Sequence, residues 1–161
     1  SKINIVDILI NNAGYLSSKP FREIGQTELL NHFKVNFFSV YELIRQTLDL
    51  FDSSSMKHIV NIGTMGAVQG SIKFKGMSAY ISSKAALANL TESLAAELQD
   101  KGIKINYLAL GGVETKMFRE AFRGQKAPHT PGEMAEFISD FALNSWKYFN
   151  GKILSVTSTI P

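Results

Sequence analysis

The strongest constraint on this chain is a repeated order of short apolar strands and amphipathic helices. Four apolar runs rich in β-branched residues lie at 5–10, 57–62, 103–110 and 151–157. Such runs are typical of strands buried on both faces, as in a parallel sheet. Apolar residues at helical spacing separate each pair of runs, which favours βαβ units. The pattern predicts an α/β fold, a Rossmann-like doubly wound parallel sheet in three αβα layers.

Capping residues indicate where the helices begin and end. Thr27 can cap a helix to about residue 51, and Ser78 can cap a second helix to about residue 100. Gly102 follows the second helix, where a left-handed C-terminal cap belongs. The run Thr-Pro-Gly-Glu at 130–133 is typical of a capping box with proline at the first helical position, and it opens a predicted helix to about residue 146. A short helix is expected at 117–123.

Length and composition bound the class of protein. The 161 residues suit one domain, 1–161. The 17 Lys and Arg against 14 Asp and Glu leave a net charge of +3, and the lysines are scattered, so no nucleic-acid partner is expected. No apolar run is long enough to cross a bilayer, so no membrane partner is expected either. The absence of cysteine fits a reducing compartment, and we expect a cytoplasmic protein.

Glycine and polar residues follow the predicted strands at their carboxyl ends. They are Asn-Asn-Ala-Gly at 11–14, Gly-Thr at 63–64, Gly-Gly at 111–112 and Thr157. Ligands of open parallel sheets bind beyond these strand ends, and glycine lets a ligand approach the backbone closely. Each run could also be a simple turn. The three histidines have no metal-ligand spacing, so no catalytic metal is expected.

Tyr80 and Lys84 form a candidate acid-base pair. They lie four residues apart on a predicted helix and therefore share one face. A tyrosine hydroxyl has an ordinary pKa near 10, and a fixed ammonium beside it favours the phenolate. The pair alone is weak evidence, because such a spacing also arises by chance.

The motifs around this pair make it specific. In chain order they are Asn-Asn-Ala-Gly at 11–14, Asn36, Gly-Thr at 63–64, Tyr-Ile-Ser-Ser-Lys at 80–84 and Gly-Gly-Val-Glu-Thr at 111–115. This order resembles the short-chain dehydrogenase/reductase family over about residues 6–157.

The resemblance implies a role for each of these residues. Tyr80 would be the general acid or base at the substrate oxygen, and Lys84 would lower its pKa and hold the nicotinamide ribose. Asn36 would anchor a water in a proton relay, and Thr64 would hold the substrate oxygen. The other implied cofactor-binding residues are Asn12, Ala13 and Gly14 on the adenosine side, and Gly111, Gly112, Val113 and Thr115, of which the last two would touch the carboxamide.

The implied function is an NAD(P)-dependent oxidoreductase that transfers hydride between a nicotinamide cofactor and a small-molecule carbonyl or secondary alcohol. The sequence does not distinguish NAD from NADP, nor does it identify the substrate. The family also implies a homodimer or homotetramer, because the helices around Asn36 and Tyr80 have broad apolar faces. A flavin- or nucleotide-binding domain of other chemistry is a weaker alternative.

Three departures from the family pattern leave a second function open. Thr64 stands where the family usually has serine, and Leu110 stands where it has proline. The glycine-rich turn that binds the cofactor phosphates is absent, so the fold is expected to be N-terminally incomplete. The chain is then either part of a longer enzyme, inactive when isolated, or a non-catalytic truncated module that dimerises or scaffolds.

Two further segments have alternative interpretations. Met117, Phe118 and Phe122 belong to the core, to an interface or to the substrate pocket. The run Lys-Phe-Lys at 73–75 is a solvated loop or a contact with the substrate or a neighbouring subunit.

Overall fold

A parallel four-stranded sheet organises the protein in this computed structural model, which describes residues 3–158. The strands are β1 (Ile8–Asn11), β2 (His58–Thr64), β3 (Lys104–Leu110) and β4 (Ile153–Val156). Their order is β1-β2-β3-β4, and every neighbouring pair is parallel. The predicted α/β, Rossmann-like arrangement is confirmed.

Helices connect the strands. The helices are α1 (Gln26–Phe33), α2 (Ser39–Thr47), α3 (Ser78–Glu97), α4 (Lys116–Ala121) and α5 (Pro131–Asn144). A π-helical segment, Lys34–Phe38, joins α1 to α2. Short 3₁₀ turns lie at Phe21–Glu23, Leu48–Phe51, Met65–Ala67 and Gln99–Lys101. Within residues 3–158, none of the helices has both the length and the apolar composition that crossing a bilayer requires.

Apolar side chains cover both faces of the sheet, because successive residues of a strand point to opposite sides. On one face, Ile59 of β2 packs in a core with residues of α2 and α3, including Leu87. On the other face, its neighbour Val60 packs in a second core with Phe141 of α5. The sheet is therefore the middle layer of an αβα arrangement.

A buried chain of polar side chains joins β1, β2 and α3. The Asn11 amide donates to Asn61 Oδ1 at 2.8 Å, and the Asn61 amide donates to Thr91 Oγ1 at 2.9 Å. Thr91 in turn donates to the Leu87 carbonyl at 2.9 Å. Because every member has a hydrogen-bond partner, the hydrogen bonds compensate the cost of burying these polar groups. These hydrogen bonds fix the carboxyl end of β1 relative to β2.

Several predicted boundaries are confirmed and others are wrong: β1 begins at Ile8 rather than at residue 5, and the π-helical segment divides the helix that was predicted to continue to residue 51. The capping box of Thr130 and Glu133 is present, and Gly102 adopts a left-handed conformation with φ 72°. Thr27 is not a cap, since α1 begins one residue earlier with Gly25 as its N-cap. Ser78 is the first helical residue of α3 rather than its cap. Gly63 was expected to end its strand, but β2 continues through Thr64.

Candidate active site

A cavity of about 430 Å³ opens at the carboxyl ends of the strands. It is the position that an open parallel sheet offers to a ligand. Nine of the expected site residues line it: Asn12, Gly14, Thr64, Tyr80, Lys84, Gly111, Gly112, Val113 and Thr115. Two others do not. Ala13 is exposed outside the lining, and Asn36 is fully buried behind it.

Tyr80 and Thr64 bring two hydroxyl groups together in this cavity. Tyr80 lies in the first turn of α3, and Thr64 is the last residue of β2. Burial raises the pKa of the Tyr80 hydroxyl to about 12, and a hydrogen bond with the Thr64 side chain acts in the lowering direction. This pKa is raised rather than lowered as expected, because desolvation of the phenolate outweighs the hydrogen bond.

Lys84 lies one turn after Tyr80 and is 3% exposed. Its Nζ donates to the carbonyl oxygen of Ile62 at 2.7 Å, which directs the ammonium toward the end of β2. Burial lowers the pKa of Lys84 to about 8. The side chain is therefore a cation that can lose its proton in the mildly alkaline range, rather than a permanent charge.

This lowered pKa predicts a pH-dependent stability. Between pH 8 and the ordinary lysine value of 10.5, the unfolded chain holds a proton that the folded chain has released. The free energy of unfolding should therefore rise with pH over this interval, by on the order of 2 kcal/mol from Lys84. Urea denaturation at about pH 8, 9 and 10 measures the effect, because these values lie between the lowered pKa of about 8 and the ordinary value of 10.5. Lys84→Met should abolish the rise, whereas the exposed-site control Lys34→Met should retain it. An equal rise in both variants would contradict the assignment.

Asn36 organises the cavity from behind. It lies within the π-helical segment, a local distortion that often marks functional positions in helices. Its Oδ1 accepts from the Tyr15 amide at 2.8 Å, and its Nδ2 donates to the Tyr15 carbonyl and to Ser83 Oγ, each at 2.9 Å. The Asn36 side chain therefore ties the segment after β1 to α3, and Lys84 is not among these partners.

His32 has a related function that the sequence did not reveal. Its ring is fully buried, with Nε2 accepting from the Ser17 amide at 3.1 Å and Nδ1 lying 2.9 Å from the Glu28 carbonyl. Together with Asn36, four residues later on the same helical face, it holds the backbone of residues 15–17. That i, i+4 spacing was the available signal.

Tyr107 was also missed, although it lies directly beneath the site. Its hydroxyl accepts from the Thr64 amide at 3.1 Å and donates to the Lys84 carbonyl at 3.2 Å. The ring occupies the space that a side chain at Gly63 would need, since a Cβ there would lie 1.7 Å from the Tyr107 ring. A glycine inside an apolar strand indicates such a close approach, and this was the signal in the sequence.

Gly14 and Gly112 line the cavity and bring the main chain close to other side chains. A Cβ at Gly14 would lie 3.7 Å from Asn36 Oδ1 and 3.8 Å from Lys84 Nζ, so the main chain passes close to these two polar groups. At Gly112, an added Cβ would lie 3.1 Å from the Phe118 ring, so the main chain passes close to this ring. Within residues 3–158, no cluster of three or more metal-ligating side chains is present.

The fold and this position of the cavity define a dinucleotide-binding type of α/β protein, and comparison with known proteins specifies the family. The family model of the short chain dehydrogenases matches residues 1–126. L-2,3-butanediol dehydrogenase of Corynebacterium glutamicum is 30% identical over 96% of this chain and 67% of its own length. The chain belongs to the short-chain dehydrogenase family.

Solved structures agree with the family. A short-chain dehydrogenase/reductase from Serratia marcescens superimposes with a TM-score of 0.80 at 27% identity, covering 94% of this chain and 64% of that one. A 4-hydroxyisoleucine dehydrogenase mutant, solved in complex with NADH and succinate, shares the fold with a TM-score of 0.81 at 23% identity, covering 93% and 66% of the two chains. This chain thus spans about two thirds of the length of the proteins it matches.

Proposed function

We propose that this chain is the catalytic part of an NAD(P)-dependent oxidoreductase that interconverts a carbonyl compound and a secondary alcohol. The observation that carries the proposal is the convergence of Thr64, Tyr80 and Lys84 on one cavity at the carboxyl ends of the strands. Membership of the short-chain dehydrogenase family supports it.

In the reducing direction, Tyr80 is the proton donor. The Tyr80 hydroxyl is protonated at neutral pH, so a proton is available when negative charge develops on the substrate oxygen. The Tyr80 O–H bond breaks as the new O–H bond of the alcohol forms. Thr64 orients the same substrate oxygen through its hydroxyl, and the Lys84 ammonium stabilises the phenolate that Tyr80 leaves behind.

Residues of the cavity would also hold the cofactor. A nicotinamide cofactor supplies the hydride in reduction and accepts it in oxidation. Tyr80 and Lys84 would bind the ribose next to the nicotinamide. The other residues proposed for cofactor binding are Asn12, Ala13, Gly14, Gly111, Gly112, Val113 and Thr115. The Asn36 side chain already has three partners, so a proton relay from Lys84 would use the Asn36 backbone.

The assembly and compartment are further proposals. Large apolar side chains remain exposed along the first two helices and the segment between them, including Leu30, Phe38, Tyr41 and Leu43. Burial of this face between two copies would give a homodimer or, with a second interface, a homotetramer. We place the protein in the cytoplasm because it contains no cysteine.

The proposed function is tested by carbonyl-dependent oxidation of NADH or NADPH by the full-length protein. Consumption of either cofactor with a ketone supports it. Absence of both consumption and cofactor binding would favour the alternative, a non-catalytic module that dimerises or scaffolds.

Chain 1–161 alone should bind nicotinamide cofactors poorly. Its cavity would hold the nicotinamide side, whereas the sequence contains no glycine-rich turn for the pyrophosphate. Fluorescence titration with NADH and NADPH measures this, and we expect dissociation constants well above the micromolar range. Micromolar affinity for the isolated chain would contradict the expectation.

A further inference from the structure

Three phenylalanine rings close the outer side of the cavity. Phe74 packs edge-on against Phe122, with ring centroids 5.0 Å apart and an interplanar angle of 82°. Phe122 packs against Phe118 at 4.9 Å. All three line the cavity, and we call them the aromatic wall. The wall joins two segments that are distant in sequence, the loop before α3 and the region of α4.

The loop that carries Phe74 is held at its base. It lies between Gly70 and Gly76, which both adopt left-handed conformations, with φ 82° and 80°. Ser71 Oγ donates to the Met65 carbonyl at 2.6 Å, and Lys73 Nζ donates to the Val68 carbonyl at 2.6 Å. These bonds attach the loop to the turn that follows Thr64. The position of Phe74 is therefore set by the same strand end that positions a catalytic hydroxyl.

Two large apolar side chains of the cavity lining are exposed to solvent. Ile72 is 58% exposed and Phe74 is 49% exposed, although both line the cavity. Met117 and Leu16 extend the apolar lining on either side. A ligand that covers these side chains would remove them from water, at a gain of about 25 cal/mol per Å² of apolar surface.

The cavity contains few charges to match a charged substrate. Of the described residues that line it, Lys84 alone has a charged side chain, and its ammonium is engaged with Ile62. Lys73 lies outside the lining and is bonded to the loop backbone. A carboxylate buried against the aromatic wall would have no cation of its own, and burial of an unpaired charge is strongly unfavourable.

We propose that the aromatic wall selects an uncharged ketone or secondary alcohol that has a large apolar group, aryl or alkyl, on the reacting carbon. Phe74 is the specificity-determining residue, since its half-exposed ring lines the cavity and contacts Phe122. This inference rests on the proposed function, because it assigns the substrate class of the same site.

Binding of two matched probes tests the substrate class without requiring hydride transfer. Acetophenone and benzoylformate differ in that a methyl group is replaced by a carboxylate. Saturation-transfer NMR with the protein, without added cofactor, should show acetophenone binding at least tenfold more tightly than benzoylformate. Equal or tighter binding of benzoylformate would overturn the inference, as would the absence of acetophenone binding. Neither result depends on turnover, so this test and the test of the proposed function fail separately.

Substitution of Phe74 tests the wall itself. Phe74→Ala should weaken acetophenone binding about tenfold, and Phe74→Leu should restore part of it, because an apolar contact is regained. Phe21→Ala is the matched control, since Phe21 is 80% exposed and lies outside the cavity lining. In the full-length enzyme, Phe74→Ala should raise KM for acetophenone and leave kcat nearly unchanged. Unchanged affinity in Phe74→Ala would overturn the role of this residue, and so would an equal loss in Phe21→Ala.

Discussion

Tyr80→Phe should reduce kcat for ketone reduction by about a thousandfold in the full-length protein. The substitution keeps the ring and removes the hydroxyl that we propose as the proton donor. Steady-state turnover with NADH or NADPH measures the loss, and cofactor affinity should stay within a few-fold of the unsubstituted protein. Tyr148→Phe is the control, because Tyr148 is 79% exposed and lies outside the cavity lining.

The pH dependence of the reverse reaction provides a second readout. Alcohol oxidation needs the Tyr80 phenolate, and burial raises the pKa of this group to about 12. The rate of oxidation should therefore increase with pH through the alkaline range, whereas ketone reduction should not share that increase. Unchanged turnover in a Tyr80→Phe protein that still binds cofactor would show that the assigned mechanism is wrong.

Gly63→Ala should destabilise the protein by about 3 kcal/mol or more. The new Cβ would lie 1.7 Å from Cζ and 1.9 Å from the hydroxyl oxygen of Tyr107, far inside van der Waals contact. The Tyr107 ring is fully buried and its hydroxyl is bonded to Thr64 and Lys84, so it has little freedom to move aside. Urea denaturation of the protein measures the loss.

A double-mutant cycle separates this clash from a general effect of alanine in the strand. On a Tyr107→Ala background the space is open, so the added Gly63→Ala should cost far less than it does alone. Gly132→Ala is the matched control, because the nearest atom to a Cβ there is 4.0 Å away and the residue lies in a helix, where alanine is favourable. An additive cycle would show that Gly63 and Tyr107 are not size-matched.

The parallel sheet and its layers were predictable because they depend on local patterns. β-branched runs and helix-period runs alternate along the whole chain, and the capping box at Thr130 is a local signal. The wrong boundary at Gly63 has a cause in the tertiary structure. Gly63 breaks the apolar pattern of β2, but its close contact with Tyr107 depends on two strands that are paired only in the folded protein.

Nine of the eleven residues of the predicted site line one cavity, but the electrostatics of the site were not predictable. The order of motifs brought Thr64, Tyr80 and Lys84 to one cavity, as expected. The sequence could not show that desolvation dominates the Tyr80 pKa, because burial depends on the surrounding tertiary structure. For the same reason, the sequence did not decide whether Phe74 lies in a solvated loop or contacts the substrate or a neighbouring subunit.

The hydrogen bonds that His32 and Asn36 make with residues 15–17 leave one wall of the cavity open to redesign. The Asn36 side chain binds main-chain atoms of Tyr15, and the His32 ring binds the Ser17 amide. Leu16, which lies between Tyr15 and Ser17, lines the cavity. The shape of this segment is therefore encoded in the helix behind it rather than in the side chain at position 16. Selection can change Leu16, in nature or in the laboratory, to alter what the cavity accepts while the segment that carries it keeps its course.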